Sequence, residues 1–141
     1  MIKVKIKKLF SDAKLPDYSH PGDAGLDLYS REDKELKPGE RHTFFIGFAL
    51  EFSDRYVAIT RDKSGLAYKH GLHTMGGVFD SGYRGEYNVN LVNLGQEAYQ
   101  IKKGDKIAQL IIIPFEQAEF EAVPELSDSS RADGRFGSTG K

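Results

Sequence analysis

At 141 residues, with 39% hydrophobic and 29% charged side chains, the chain is long enough to bury a core within one compact domain and too apolar to remain disordered. Lys and Arg number 20 against 21 Asp and Glu, so the net charge of -1 gives no general pull on polyanions; direct nucleic-acid binding is not expected, and any phosphate must be met by a few placed groups. The absence of cysteine excludes disulfides, zinc–thiolate sites and a Cys nucleophile.

Met1 to Lys8 interleaves lysines with apolar residues, which predicts a strand and neither a signal peptide nor a membrane span. No membrane partner is expected, and a cytoplasmic location is the default. From Arg41 to Phe52 one long strand is predicted, with Phe44, Ile46, Phe48, Leu50 and Phe52 on one face and Phe45, Gly47, Ala49 and Glu51 on the other. Tyr56 to Thr60 reads as a further strand. A short helical turn is expected over Gly65 to His70. Tyr87, Val89 and Leu91 alternate with Asn88 and Asn90, and Ile107 to Phe115 is a nearly unbroken apolar run, as in a strand covered on both faces. Short strands closely spaced by Gly, Pro and Asp turns predict an all-β sandwich, jelly roll or small barrel. The expected division is a single β domain over residues 1–126 and a flexible C-terminal arm over 127–141, where Phe136 is the only large apolar side chain.

Five segments carry more small and polar residues than strand packing needs. In Pro21 to Leu28, Asp27 lies between two leucines, so its carboxylate points away from an apolar face. It reads as an exposed strand Asp or as an oxygen ligand to a hard cation through water, as Mg²⁺ prefers. In Thr60 to Ala67, Ser64 and Gly65 open a helical turn beside Arg61 and Lys63, which suits a phosphate; a plain N-cap by Ser64 is the simpler alternative. The Walker spacing is absent.

In Gly76 to Val89, Asp80 and Tyr83 flank Ser81 and Gly82, a hairpin-type turn that brings a carboxylate and a phenol ring together. Asp80 has the chemistry of a general base, and Tyr83 that of a ring for a sugar to rest on. In Gly104 to Ile111, Gln109 is the polar residue within a buried run, and its amide must pair with backbone or face a site. The fifth segment, Arg131 to Gly140, is a glycine-rich tail with groups suited to a phosphate and a flat ring.

Taken together and in this order, the segments resemble the five signature blocks of dUTPases: A-G-x-D-L, S-G-L-A, G-V-x-D-x-x-Y-R-G, G-D-x-I-A-Q-L and R-x-x-G-x-F-G-S-T-G. The match spans Ala24 to Gly140. The resemblance implies a jelly-roll-like β fold and a homotrimer whose active sites are shared between subunits, with dUTP as substrate and Mg²⁺ as cofactor. It implies hydrolysis to dUMP and pyrophosphate, Asp80 activating the water that attacks the α-phosphorus and Tyr83 stacking on the deoxyribose.

Uracil would be read by backbone groups around Thr74, Val78, Phe79 and Asn88. Lys63, Ser64, Gly65 and Gln109 would line the phosphates, and Asp27 would hold Mg²⁺-bound water. Arg131 would grip the γ-phosphate, Phe136 would lie over the base, and Gly137, Ser138 and Thr139 would close the lid. Lys63 and Thr74 depart from the common Arg and Asn, and Ala132 and Arg135 from common glycines. Whether Arg61 or Lys63 meets phosphate is left open by the sequence. The alternatives are dCTP deaminase, on the same fold, and a non-catalytic nucleotide-binding protein; the G-F-G-S-T-G tail favours dUTPase over the first, and the joint presence of Asp27, Asp80, Tyr83 and the tail argues against the second.

Overall fold

A computed structural model describes residues 1–130 and residue 132 of the chain. In chain order the elements are β1 (Lys5–Lys8), β2 (Leu26–Tyr29), β3 (Lys34–Leu36), β4 (Arg41–Phe45), β5 (Phe48–Glu51), β6 (Tyr56–Asp62), α1 (Ser64–His70), β7 (Leu72–Met75), β8 (Val78–Phe79), β9 (Asn88–Asn93), β10 (Tyr99–Ile101) and β11 (Lys106–Pro114). The strands form a four-stranded sheet of order β2-β11-β6-β8, a three-stranded sheet of order β4-β9-β7, and the pairs β1-β5 and β10-β3. This is the all-β class that the strand pattern predicts, in the jelly-roll-like form that the resemblance implies.

Inward-facing residues of the two larger sheets meet in one core, with Phe44, Phe48, Tyr87, Val89, Leu91 and Leu110 fully buried. Alternation along β9 holds as expected: Tyr87, Val89 and Leu91 face inward, while Asn88 and Asn90 are half-buried on the other face. α1 ends at Gly71, whose φ of 68° is the left-handed turn that lets its amide cap the last carbonyls.

The expected strand from Arg41 to Phe52 is instead two strands in different sheets. β4 pairs with β9, and β5 pairs with β1. The break is at Gly47, where φ is 83° and an added Cβ would lie 2.6 Å from the Ala13 side chain. Phe44, Ile46, Phe48, Leu50 and Phe52 are all buried nonetheless, because the chain turns the corner without losing its inward parity. The hairpin expected at Ser81–Gly82 is also corrected. Asp80 to Tyr83 does form a turn, closed by the Tyr83 amide donating to the Asp80 carbonyl at 3.0 Å. The strands on either side do not pair, however: β8 lies against β6 and β9 against β4 and β7, so the segment arches from one sheet to the other.

β11 runs as expected between two neighbours, but it is not covered on both faces along its whole length. Ile107, Ala108 and Leu110 are buried, whereas Ile113 and Phe115 are each 39% exposed. Ile111 pairs with Ile59 and Ile113 with Val57, and Ile59 pairs in turn with Val78. The outer face of the four-stranded sheet is therefore apolar at one end. No helix among the described residues is long and apolar enough to cross a membrane.

Candidate functional site

At the other end of that outer face the residues are polar. Gln109 is the register partner of both Asp27 and Arg61, so one row across β2, β11 and β6 carries a carboxylate, an amide and a guanidinium. Pairing in register puts all three on the same face. A cavity of about 530 Å³ opens here, lined by Ser19, His20, Asp23, Gly25, Asp27, Lys63 and Gln109 among others.

Asp27 is only 2% exposed, which excludes the reading as a solvated strand residue. Its Oδ1 accepts from Lys63 Nζ at 2.6 Å, while Oδ2 lies 2.6 Å from Lys106 Nζ and accepts from Ser19 Oγ at 2.7 Å. Burial alone would raise this carboxyl, but the hydrogen bonds from Lys106, Lys63 and Ser19 outweigh it and hold it down at about 2. The carboxylate is thus ionised and already neutralised by the chain's own ammonium groups. Its pairing pulls Lys106 above the ordinary lysine range.

Gln109 meets both of its expected alternatives. Its Nε2 donates to the Asp62 carbonyl at 2.8 Å, and the same side chain lines the cavity. Gly25 is needed beside it, since a Cβ there would overlap Gln109 Oε1. Lys63 occupies the N-cap position of α1, so Ser64 is the first helical residue and the reading of Ser64 as a plain N-cap fails. Ser64 and Gly65 are both exposed. Lys63 lines the cavity, and Arg61 is exposed at the end of its row.

The remaining predicted residues gather elsewhere on the chain. Phe79 is buried and stacks on Tyr87 with centroids 4.2 Å apart, and the Tyr83 ring packs against both at 5.8 Å. The Tyr83 hydroxyl donates to the Glu86 carbonyl at 3.0 Å, which fixes a ring that is 40% exposed. Asp80 and Val78 are exposed, and Asn88 is half-buried at the start of β9. Thr74 is buried, and both its amide and its hydroxyl donate to Asp62 Oδ1 at 2.6 Å. Asp80, Tyr83, Thr74, Val78 and Asn88 do not line the Asp27 cavity. Arg131, Phe136, Gly137, Ser138 and Thr139 lie outside the described residues.

Comparison with known proteins bears on this division. The dUTPase family model matches residues 11–140. The chain belongs to the dUTPase family. A deoxyuridine 5'-triphosphate nucleotidohydrolase from Nautilia profundicola is 49% identical over 142 residues, covering 99% of this chain and 100% of that one. The protein of the same description from Clostridium tetani is 46% identical over 140 residues, with 98% and 97% covered. Among solved structures, the dUTPase of Staphylococcus bacteriophage 80alpha with dUPNHPP superposes with a TM-score of 0.92 at 29% identity, covering 99% of each chain. A mutant dUTPase from phage phi11 of S. aureus, described for the coordination of a structural Mg(II) ion, superposes at 0.81 with 28% identity, covering 89% of this chain and 99% of that one. The likeness to dUTPases thus extends over nearly the whole of this chain.

Ser19, Lys106 and Asp62 are among the residues of the site that sequence reasoning missed. Lys106 stands at a strand start, and nothing local in the sequence ties it to Asp27. Asp62 had a usable signal: it shares the inward parity of Ala58 and Thr60, so its carboxylate had to find donors.

Proposed function

We propose that this chain is a dUTP diphosphatase that hydrolyses dUTP to dUMP and pyrophosphate in a homotrimer with shared active sites. The reading rests on membership of the dUTPase family together with one observation. The chain carries two half-sites: a cationic, carboxylate-anchored cavity at Asp27, Lys63 and Gln109, and a separate aromatic arch at Asp80 and Tyr83. A second copy that brings its arch to the first copy's cavity completes the constellation. The half-covered apolar strip of Val57, Ile59, Val78, Ile111 and Ile113 is a surface suited to such a contact.

In this reading Lys63, Gln109 and the amides of Ser64 and Gly65 hold the phosphates. Backbone groups around Thr74, Val78, Phe79 and Asn88 read uracil, and a base of the wrong pattern leaves buried polar groups unpaired. The fixed Tyr83 ring supports the deoxyribose. Asp80 takes a proton from water as its oxygen bonds to the α-phosphorus; the bond from that phosphorus to the bridging oxygen breaks, and the electron pair leaves with pyrophosphate. Residues 127–141 form an arm that closes the site, with Arg131 on the γ-phosphate, Phe136 on the base, and Gly137, Ser138 and Thr139 as the lid.

The donor set suits Mg²⁺ that arrives chelated by the triphosphate better than a resident ion. The described residues contain no cluster of three acidic or histidine groups, and Asp27 offers one carboxylate already shared by two lysines. Asp27 would hold such an ion through water. When bound, Mg²⁺ supplies charge neutralisation on the phosphate oxygens. The physiological outcome is a lower dUTP pool, with less uracil entering DNA and dUMP made available for dTMP synthesis; the compartment that fits is the cytoplasm.

The test is product analysis with dUTP, UTP, dCTP and dTTP, in Mg²⁺ and in EDTA, for the wild-type chain and Asp80→Asn. Metal-dependent conversion of dUTP alone to dUMP is expected, with Asp80→Asn binding dUTP but losing turnover by at least about 10²-fold. Ammonia released from dCTP would move the chain to deaminase chemistry, and a fully active Asp80→Asn would remove that residue from its role.

A further inference from the structure

The aspartate that sequence reasoning passed over ties together, within one subunit, the phosphate-side residues and the base-reading segment, two half-sites that in the proposed trimer serve different active sites. Among the described residues β7 is an edge strand, paired only with β9. The Thr74 amide therefore has no strand to donate to on its outer side. It donates instead to Asp62 Oδ1 at 2.6 Å, and the Thr74 hydroxyl donates to the same oxygen at 2.6 Å. Asp62 Oδ2 lies 2.8 Å from His73 Nδ1. All three bonds tie β7 to the last residue of β6, which belongs to the other sheet.

The backbone of that same residue serves the phosphate side. Its carbonyl accepts from Gln109 Nε2 at 2.8 Å, and the next residue, Lys63, reaches Asp27. A backbone bond two residues earlier, from the Thr60 amide to the Gly77 carbonyl at 2.8 Å, anchors the far end of the Thr74 to Gly77 segment. Gly77 is confined there: its φ is 90°, and a Cβ would come within 2.8 Å of the Thr60 side chain. β6 thus grips the segment at two points, one by backbone and one by the Asp62 carboxylate.

We propose that Asp62 is a positioning residue for base selection: its carboxylate fixes Thr74 and the edge of β7, and so sets how strictly uracil is distinguished from cytosine. The proposal rests on the assignment of Thr74 to the base-reading segment made above. Burial would raise the Asp62 carboxyl, but the Thr74 hydroxyl, His73 and the Thr74 amide together bring it below its ordinary value, so it is a charged acceptor at neutral pH. Charged acceptors make the stronger and more directional bonds.

Asp62→Ala removes the carboxylate that holds Thr74 and leaves the carbonyl that holds Gln109, so it separates the effect on base reading from any effect on the phosphate side. The experiment measures kcat and KM for dUTP and dCTP, inhibition by pyrophosphate, and amide hydrogen exchange at Thr74, in the full chain. Asp62→Ala is expected to lower the dUTP-over-dCTP ratio of kcat/KM about tenfold, mainly through KM for dUTP, and to speed Thr74 exchange. Inhibition by pyrophosphate is expected to stay within about twofold. Asp62→Asn, which keeps an acceptor oxygen, is expected to restore most of the ratio. If Asp62→Ala does not fold, Thr74→Val, which removes only the hydroxyl bond, is expected to give a smaller loss of the same kind. An unchanged ratio despite faster Thr74 exchange overturns the proposal, as does an equal loss on both nucleotides. Failure of the wild-type chain to hydrolyse dUTP would count against the proposed function instead, and Thr74 exchange would still report whether Asp62 holds the strand.

Discussion

Lys63 reaches Asp27 across 36 residues of sequence, and Lys106 approaches the other oxygen from β11. The pairing lowers the carboxyl from 3.8 to about 2 in the folded chain. As pH falls, the unfolded chain therefore takes up this proton first. The stabilisation is complete above about pH 4 and is lost between there and about pH 2; after allowing for the partly exposed lysines it amounts to about 1–2 kcal/mol. Asp27→Asn is expected to be less stable than wild type by this margin at neutral pH, and the gap in urea midpoints should close on acidification. A gap that stays constant down to about pH 2 would mean that the ion pairs contribute nothing.

The polarity of this row was legible in the sequence, because a carboxylate between Leu26 and Leu28 and an amide within an apolar run each conflict with their surroundings. The role of Lys106 was not, and for Asp62 the inward parity told that donors were needed but not which. A charged residue at a strand end looks solvated until the neighbouring strand is known, and both partners come from other elements.

β4 and β5 show why element boundaries were harder to read than element faces. Period-two alternation continues through Gly47, so nothing in the hydrophobic pattern marks the change of sheet. The signal is the glycine itself, in a left-handed conformation and hemmed in by Ala13 and Arg31, while its amide donates to Glu86 Oε1 at 2.8 Å. Without a side chain it lets β4 stay with β9 while β5 turns to β1. Gly47→Ala meets both obstacles at once, a positive φ and a filled neighbourhood. It is expected to destabilise the fold by at least about 2 kcal/mol, seen as a fall of several degrees in Tm. Gly39→Ala is the control: its φ of 77° is similar, but no atom lies within 4 Å of the added Cβ. It should lose only the smaller, purely conformational part. Equal losses in the two variants would mean that crowding at the corner is unimportant. The arch at Ser81–Gly82 follows the same logic: its residues were read correctly as a turn, but which sheets it joined depended on strand pairings distant in sequence.

A single subunit leaves its chemistry divided. The Asp80 arch does not line the Asp27 cavity, and along the same outer face Ile113 stands partly in solvent. In the proposed assembly a second copy of this chain supplies the cover that β11 lacks. If each site takes its cavity from one subunit and its arch from another, two inactive variants can complement each other. Asp80→Asn disables only the arch and Gln109→Ala only the cavity. In trimers formed by unfolding and refolding an equal mixture, the arch of a Gln109→Ala subunit meets the cavity of an Asp80→Asn subunit in about one quarter of sites, since each neighbour is drawn at random from a symmetric, closed ring. Turnover of dUTP should then rise to about one quarter of wild type, well above the mean of the two parents, while the unmixed trimers remain inactive. Sites built within one subunit would give no recovery at any mixing ratio, because every cavity would be joined for good to the arch of its own chain. The dependence on mixing ratio adds a second constraint: recovery should follow the product of the two subunit fractions and peak at equal amounts, a curve that trace contamination by wild-type enzyme cannot reproduce.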